Sequence, residues 1–340
     1  MLLVVNCGSS SVKLVAFDGG GEAARASVEE VVAGGHGAAL GLALVRLGLG
    51  IERFEAAAHR VVHGGADLVA PVRIDAAVLA VIEGCAGLAP LHNPANLLGI
   101  RAVAALSPAL PQYASFDTAF HATNPAVAVT YALPLAERNL GLRRYGFHGL
   151  SYAALVRKVQ EMTGNGLPGR LLAFHLGNGA SICAIRNGAS VATTMGYSPL
   201  DGLTMGTRAG GLDPAVVMDL CARHGVVDAG RILNREAGLR ALGGSNDMRS
   251  LHAAGTPEAA FAVEHFCYWA IRHAGSMIAA MGGLDAVAFT GGIGENDAAV
   301  RGRILAGLDW IALGKPVHVV PAEEERQIAL EAALVMEAQR

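Results

Sequence analysis

Four polar side chains stand in places that ordinary packing disfavours. In His59-Arg60-Val61-Val62-His63-Gly64-Gly65 an arginine closes an apolar run, and in Phe116-Asp117-Thr118-Ala119-Phe120-His121 an aspartate lies among aromatics. Tyr145-Gly146-Phe147-His148-Gly149 sets a histidine in similar company, and Met205-Gly206-Thr207-Arg208-Ala209-Gly210-Gly211 a second arginine. Charged groups are rarely buried unless paired or functional. Taken singly, each is more often a structural ion pair or a satisfied core histidine. Taken together, two arginines, an aspartate and a histidine suit phosphoryl transfer. That chemistry needs cationic donors for the transition-state oxygens and a carboxylate to organise a metal and its water.

Three loops of small residues could receive the phosphates: Cys7-Gly8-Ser9-Ser10-Ser11, Gly177-Asn178-Gly179-Ala180-Ser181 and Gly291-Gly292-Ile293-Gly294-Glu295-Asn296. Glycine and serine let backbone N–H groups approach phosphate oxygens closely, and a following helix N-terminus adds a favourable dipole. One such loop is weak support, because glycine-rich turns are common; three in one chain are harder to dismiss. None is a P-loop or a Rossmann fingerprint, since no Gly-Lys-Ser/Thr occurs and the third loop lacks the G-x-G-x-x-G spacing.

These residues need strands and helix starts to hold them. Leu2–Val5 and Val12–Phe17 are apolar runs flanking the first loop, and Asp18-Gly19 is a hairpin turn signal. The same order returns at Leu171–Phe174 and Ile182–Ile185, with Asn187-Gly188 as the turn. Laid over each other without gaps, Leu2, Leu3, Gly8 and Gly19 fall on Leu171, Leu172, Gly177 and Gly188, an offset of 169 residues. An internal duplication follows, with two related α/β domains around a shared cleft, the place where small-molecule sites concentrate. Further strands are expected at Ala56–Val62, Gln112–Phe116, Ala286–Thr290 and Val317–Val320. Helices are expected from Asn93-Pro94, from Asp213-Pro214 with Asp213 as N-cap, over Pro257–Met281, and from Pro321 onward.

Composition sets the outer bounds. A chain of 340 residues is long for one core and favours two domains. With 52% hydrophobic and 16% charged residues and 44 glycines, it suits an α/β protein with buried strands rather than a disordered chain. The net charge of −3 gives no reason to expect a nucleic acid or an anionic membrane as partner. No stretch approaches the ~18 uninterrupted apolar residues of a membrane helix. Leu2–Val5 reads as a strand rather than a signal peptide, and the five scattered cysteines read as reduced thiols, so a cytoplasmic location is expected.

Set in order, the blocks Asn6–Lys13 (NCGSSSVK), His59–Gly65 (HRVVHGG), Ala89–Pro94 (APLHNP), Phe116–His121 (FDTAFH), Tyr145–His148 (YGFH), His175–Ser181 (HLGNGAS), Gly202–Gly210 (GLTMGTRAG), Ser245–Arg249 (SNDMR) and Phe289–Asn296 (FTGGIGEN) resemble the successive signatures of the acetate kinases. They span nearly the whole chain. The resemblance implies two duplicated actin-like (ribonuclease H-like) α/β domains around a nucleotide cleft, as in the actin, heat-shock cognate and sugar-kinase superfamily. The domains would be 1–146, completed by a C-terminal helix over 322–340, and 147–321. It implies reversible phosphoryl transfer from ATP to acetate, giving acetyl phosphate and ADP, with Mg2+ (or Mn2+) as the metal and a homodimer as the assembly.

By the same resemblance, Asn6 and Glu324 would help hold Mg2+, and Asp117 would position the metal or its waters. Ser9, Ser11 and Lys13 would line the phosphate path of the first hairpin, and His175, Leu176, Gly177, Asn178 and Gly179 would wrap the phosphates from the second. Asp247, Met248 and Arg249, with Gly292, Ile293, Gly294, Glu295 and Asn296, would frame the adenosine. Arg60 and Arg208 would bind the carboxylate and the migrating phosphoryl group, and His148 would stabilise its equatorial oxygens. Val62, Leu91, Phe147 and Pro199 would wall the methyl pocket. Glu324 shows what the resemblance adds: among Glu323, Glu324 and Glu325, residues alone favour simple carboxylates in a first helical turn.

The chain departs from the family pattern in length, being shorter near Gly19–Arg53 and Gly314–Pro316, which puts dimer contacts in question. Cys7 replaces a small residue beside the first loop, an exchange expected to make the site sensitive to thiol reagents. Two other functions fit the same residues. A propionate kinase would differ only in pocket size, and one methylene in a hydrophobic pocket is worth only ~1–3 kcal/mol. A non-catalytic ATP-binding sensor would keep the fold, but retention of both arginines, the histidine and the aspartate argues against it.

Overall fold

The first apolar run folds as strand β1 (Leu2–Cys7), buried along its whole length, and turns back as β2 (Ser11–Asp18) and β3 (Gly21–Glu29). Strands β4 (Ala56–Val61), β5 (Val72–Arg73) and β6 (Gln112–Phe116) complete one sheet in the order β3-β2-β1-β4-β6-β5. The second half gives β7 (Arg170–Leu176), β8 (Ala180–Arg186), β9 (Ala189–Thr193), β10 (Ala286–Thr290) and β11 (Val317–Val319), in the order β11-β10-β7-β8-β9. The structure is a computed structural model that describes residues 1–340 apart from Ser9, Ala33, Leu91, Asn165 and Arg340.

The two sheets repeat one plan: three antiparallel strands, then two more parallel to the first, β4 and β6 in one sheet, β10 and β11 in the other. Both hairpins turn through residues of positive φ, Gly19 (53°) and Gly20 (84°) in one, Asn187 (51°) and Gly188 (84°) in the other. Those pairs suit the turn whose twist matches the flanking strands. Each β-bulge also recurs, between Ala16 and Phe17 and between Ala184 and Ile185. The gapless overlay needs one correction. Cys7 pairs with Val12 but Leu176 with Ala180, so the second small-residue loop is one residue shorter and Val12 aligns with Ala180.

The chain divides into two compact units, one of Met1–Ala122, Gly149–Ala154 and Glu323–Arg340, the other of Thr123–His148 and Leu155–Ala322. The crossing expected near residue 146 therefore lies earlier. Residues 123–148 are tied to the second unit: the Thr123 hydroxyl donates to the Ser190 carbonyl (2.8 Å), Arg144 pairs with Asp201 (2.9 Å) and the Tyr145 N–H donates to Gly196 O (3.0 Å). Such bonds reach far along the chain and leave no local mark in composition.

In the first unit both sheet faces are covered. Leu3, Val5, Leu14 and Ala57 face the helix His36–Leu47, through Leu40, Ala43 and Leu47, and Val103 of the helix Asn93–Leu106. Leu2, Val4, Ala56 and Ala58 face Ile328, Ala329 and Ala332 of the helix Glu324–Ala338. Burial on both faces explains why β1 reads as an unbroken apolar run. In the second unit the helix Pro257–Met281 buries Ala259, Ala262, Val263, Phe266 and Ala270, the three-and-four spacing of one helical face. Thr256 caps it by accepting the Ala259 N–H, and Gly282 ends it at φ 75°. Phe174 on β7 stacks on its register partner Phe289 on β10, ring centroids 4.8 Å apart.

Candidate active site

In the first unit three parallel strands end side by side and present polar residues. Side chains alternate along a strand, so Asn6 follows Leu2 and Val4, and Arg60 follows Ala56 and Ala58, onto the face covered by the C-terminal helix. Asp117 follows β6 directly; its N–H donates to Val61 O (3.1 Å) and its carbonyl accepts the Gly149 N–H (2.8 Å). A Cβ on Gly149 would come within 2.3 Å of that carbonyl, so only glycine fits there. Arg60 grips Asp117 at two points, Nε to Oδ1 (3.1 Å) and Nη2 to Oδ2 (2.7 Å), and its Nη1 lies 3.8 Å from Glu324 Oε2. Burial opposes the Arg60 charge, but the carboxylates of Asp117 and Glu324 outweigh it and raise the guanidinium pKa. Behind this pair, Glu331 accepts from Gln327 Nε2 (3.1 Å) and bonds Ser115; burial pushes its carboxyl pKa up, and the Asp117 charge adds to that.

Two asparagines fix the neighbouring loops. Asn96 accepts the Val62 N–H (3.0 Å) and donates to Cys7 O (2.7 Å), while Asn93 accepts the His63 N–H (3.0 Å) and donates to His63 O (3.0 Å). Val62 is thereby held buried just after Arg60. Ser11 accepts the Gly8 N–H on its carbonyl (2.8 Å), and Lys13, exposed on β2, stands in register with Asn6. Ser9 and Leu91 lie outside the described residues.

The second unit holds the other set. His148 takes the left-handed conformation (φ 60°) ahead of the helix Gly149–Thr163. Its Nδ1 is 2.8 Å from the Ser181 hydroxyl, and its ring stacks on His175 with centroids 4.0 Å apart. A Cβ on Gly179 would sit 3.2 Å from His148 Nε2 and 3.4 Å from Arg208 Nη2, so a bare backbone lies between imidazole and guanidinium. Arg208 donates to the carbonyl of Pro199 (2.8 Å) and has no carboxylate partner among the described residues. Burial alone lowers its pKa. Phe147 is fully buried, and Pro199 is partly so.

Beside them opens a cleft of about 1020 Å³ lined by Gly177, Asn178, Asp247, Met248, Arg249, Gly292, Ile293 and Asn296, together with Asn246, His252 and Asp297. Asn178 is fitted into its neighbours: its carbonyl accepts the Gly206 N–H (3.0 Å), its Oδ1 accepts from Asn246 (3.2 Å), and a Cβ on Gly206 would overlap it. Asp247 caps the helix Met248–Ala254 and binds the Arg249 side chain, which lowers the Asp247 pKa. Leu176 is core and Gly294 is buried, so neither lines the cleft. Glu295 is committed to backbone, accepting the N–H groups of Gly291 (3.1 Å) and Ala322 (3.0 Å).

A profile of the acetokinase family matches residues 44–329. The chain belongs to the acetokinase family. Acetokinase-family enzymes are phosphotransferases with a carboxyl group as acceptor, and this chain is one of them. It is 46% identical to the acetate kinase of Nitrobacter hamburgensis over 296 residues, 81% of this chain and 73% of that one. The crystal structure of Porphyromonas gingivalis acetate kinase superposes with TM-score 0.88 at 34% identity, covering 98% of this chain and 99% of that one. A propionate kinase from Francisella tularensis superposes with TM-score 0.89, also at 34% identity, covering 97% and 98%. The two-sheet α/β architecture is thus the actin-like fold of the acetokinase structures.

Several residues that shape this candidate site are not plainly marked in the sequence. Ser181 stood in a quoted block, but nothing local shows that it fixes an imidazole 33 residues away. Asn93 and Asn96 did leave a signal: two poor helix formers three residues apart share a helix face. Glu331 left none, being one glutamate in an acidic terminal helix. Cys7 was expected to react with thiol reagents; it is 2% exposed with its pKa pushed up to about 12 by burial, and it packs toward Gly99.

No group of three or more His, Cys, Asp or Glu side chains arranged for a metal occurs among the described residues. Mg2+ does not require one, since it takes one or two carboxylates and keeps waters and substrate phosphates. The donors at the strand ends, Asn6, Asp117 and Glu324, are all oxygen-bearing, which suits that hard cation.

Proposed function

We propose that the chain is an acetate kinase, transferring the γ-phosphoryl group of ATP to acetate and reversibly forming acetyl phosphate and ADP. The observation that carries this reading is Arg208, a part-buried cation with no carboxylate partner among the described residues, one glycine from His148 Nε2 and next to the loop that lines the large cleft. A buried cation left unpaired calls for an anionic ligand.

In the proposed reaction a carboxylate oxygen attacks the γ-phosphorus as the bond to the ADP oxygen breaks. The nucleophile is already ionised, so no general base is needed. Arg208 neutralises charge on the phosphoryl oxygens, and His148, oriented by Ser181, offers Nε2 to the same oxygens. Arg60 binds the acid, with Asp117 and Glu324 holding its guanidinium in place. Gly177, Asn178 and Gly179 take the phosphates; Asp247 to Arg249 and Gly292 to Asn296 frame the adenosine. Ser9, Ser11 and Lys13 serve the phosphate path, and Val62, Leu91, Phe147 and Pro199 border the methyl group. Asn6, Asp117 and Glu324 would hold Mg2+, which when bound neutralises phosphate charge. We assign the enzyme to the cytoplasm as a homodimer.

Propionate is the competing acid, because an acetate kinase and a propionate kinase superpose on this chain equally well. A hydroxamate assay with ATP and acids from formate to butyrate decides both points. Acyl phosphate formed best with acetate supports the reading; a propionate optimum replaces the substrate, and no product with any acid removes catalysis from the account.

A further inference from the structure

Two consecutive carbonyls at the mouth of the first loop are held from beneath by buried side chains of two different helices. Cys7 O accepts from Asn96 Nδ2 at 2.7 Å, and Gly8 O lies 2.9 Å from His36 Nε2. Asn96 and His36 are each 3% exposed. A carbonyl only accepts, so His36 carries its proton on Nε2; its Nδ1 has no hydrogen-bond partner, and the contact with Gly8 is the one polar bond this ring makes among the described residues. The segment leading to His36 adds a third tie, from Val31 N–H to Ser10 O at 2.9 Å. His36 also precedes the residues matched by the family profile, which begin at 44.

We propose that His36 and Asn96 are positioning residues of the nucleotide-phosphate loop. The inference rests on reading Gly8–Ser11 as a grip for ATP phosphates. A phosphate oxygen is repelled by the negative end of any carbonyl dipole that faces it, and attracted by N–H groups. Two inward bonds keep the Cys7 and Gly8 carbonyls on the helix side of the loop, where each is satisfied rather than buried bare. The two residues differ in what else they touch. The polar bonding of His36 goes to the loop alone among the described residues, whereas Asn96 also accepts the Val62 N–H, two residues beyond Arg60. Loss of His36 therefore weakens the nucleotide side alone, and loss of Asn96 disturbs both substrates.

The test uses full-length His36→Leu, His36→Gln and Asn96→Asp at a temperature where circular dichroism shows each folded. ATP affinity is measured by calorimetry with Mg2+, and the acetate KM by acyl hydroxamate. His36→Leu is expected to weaken ATP binding by roughly fivefold or more, the scale of one hydrogen bond, with the acetate KM within about twofold. His36→Gln, which keeps a donor, recovers most of the loss. Asn96→Asp sets a carboxylate against Cys7 O, so its activity relative to wild type rises as pH is lowered from about 8 to about 6 and the protonated acid donates in place of the amide. Unchanged ATP affinity in His36→Leu, or an equal loss for both substrates, overturns the proposal. Should His36→Leu fail to fold, the Asn96→Asp profile decides, and a pH-independent ratio overturns it. A wild-type enzyme that binds ATP but makes no acyl phosphate defeats the functional reading instead, while calorimetry still tests the loop.

Discussion

Arg60 and Asp117 form a two-point pair, Nε to Oδ1 at 3.1 Å and Nη2 to Oδ2 at 2.7 Å, with the aspartate side chain only 3% exposed. Arg208 sits in a similar glycine-rich sequence and has no such partner among the described residues. Arg60 is thus held in place by a carboxylate, whereas Arg208 carries its charge with no such partner among those residues. That contrast separates the expected effects of removing them.

Asp117→Ala takes from Arg60 its two-point partner, leaving only Glu324 at 3.8 Å, and is expected to destabilise the protein by about 3 kcal/mol, the lower end for breaking a buried pair. In the Arg60→Ala/Asp117→Ala double variant the cost falls well short of the sum of the singles. Urea denaturation of the cycle measures this; additivity within about 0.5 kcal/mol would show the pair uncoupled.

Arg208→Ala is expected to lower kcat by two or more decades, the loss of roughly 2.7–4 kcal/mol seen for one oxyanion donor. Its melting temperature should hold or rise, because an unpaired part-buried cation is removed. Steady-state kinetics with calorimetric scanning checks both; near-wild-type turnover would take Arg208 out of the mechanism.

Gly179→Ala places a methyl group 3.2 Å from His148 Nε2 and 3.4 Å from Arg208 Nη2. Both neighbours are side-chain ends that can yield, so the fold survives while the two donors are pushed aside. A kcat loss of about tenfold or more is expected, since small misplacements in a site are costly. Unaltered kcat would show that the two groups need not approach across this backbone.

His59 is 1% exposed, bonded to Gln112 Oε1 at 2.7 Å, with its pKa lowered to about 4 by burial. An unfolded histidine titrates near 6.5. Between those values the unfolded chain binds a proton that the folded protein refuses, so stability present above about pH 6.5 is lost as pH falls toward 4. His63, also lowered to about 4 by burial, acts in the same direction. Melting temperature against pH should therefore slope down through this window, and less steeply in His59→Gln; identical slopes would exclude His59 as the cause.

Cys7 should resist alkylation in the native enzyme, because its thiol is buried and its pKa is pushed up to about 12. Mass spectrometry after brief iodoacetamide treatment should find the label first on Cys221, the one cysteine not buried. Native labelling of Cys7 with loss of activity would mean that the first loop opens readily.

Local chemistry was legible wherever a residue's role follows from its neighbours in sequence. The repeated hairpin, the long helix from Pro257 to Met281 and the cap at Asp213 are short-range consequences of apolar periodicity, turn residues and N–H accounting. The candidate charges were legible for the same reason, as polar residues interrupting apolar runs. The one-residue loop difference was not, because register is set by pairing and not by composition.

The amino-acid order alone determined two related α/β halves, small-residue loops after their first strands, and the four polar side chains that suit phosphoryl transfer. Only the tertiary structure decided which arginine is neutralised, which serine holds the imidazole and which helices carry the Cys7 and Gly8 carbonyls. Those outcomes depend on contacts between distant parts of the chain, such as Ser181 with His148 and Asn96 with Cys7, which leave no local mark in the sequence.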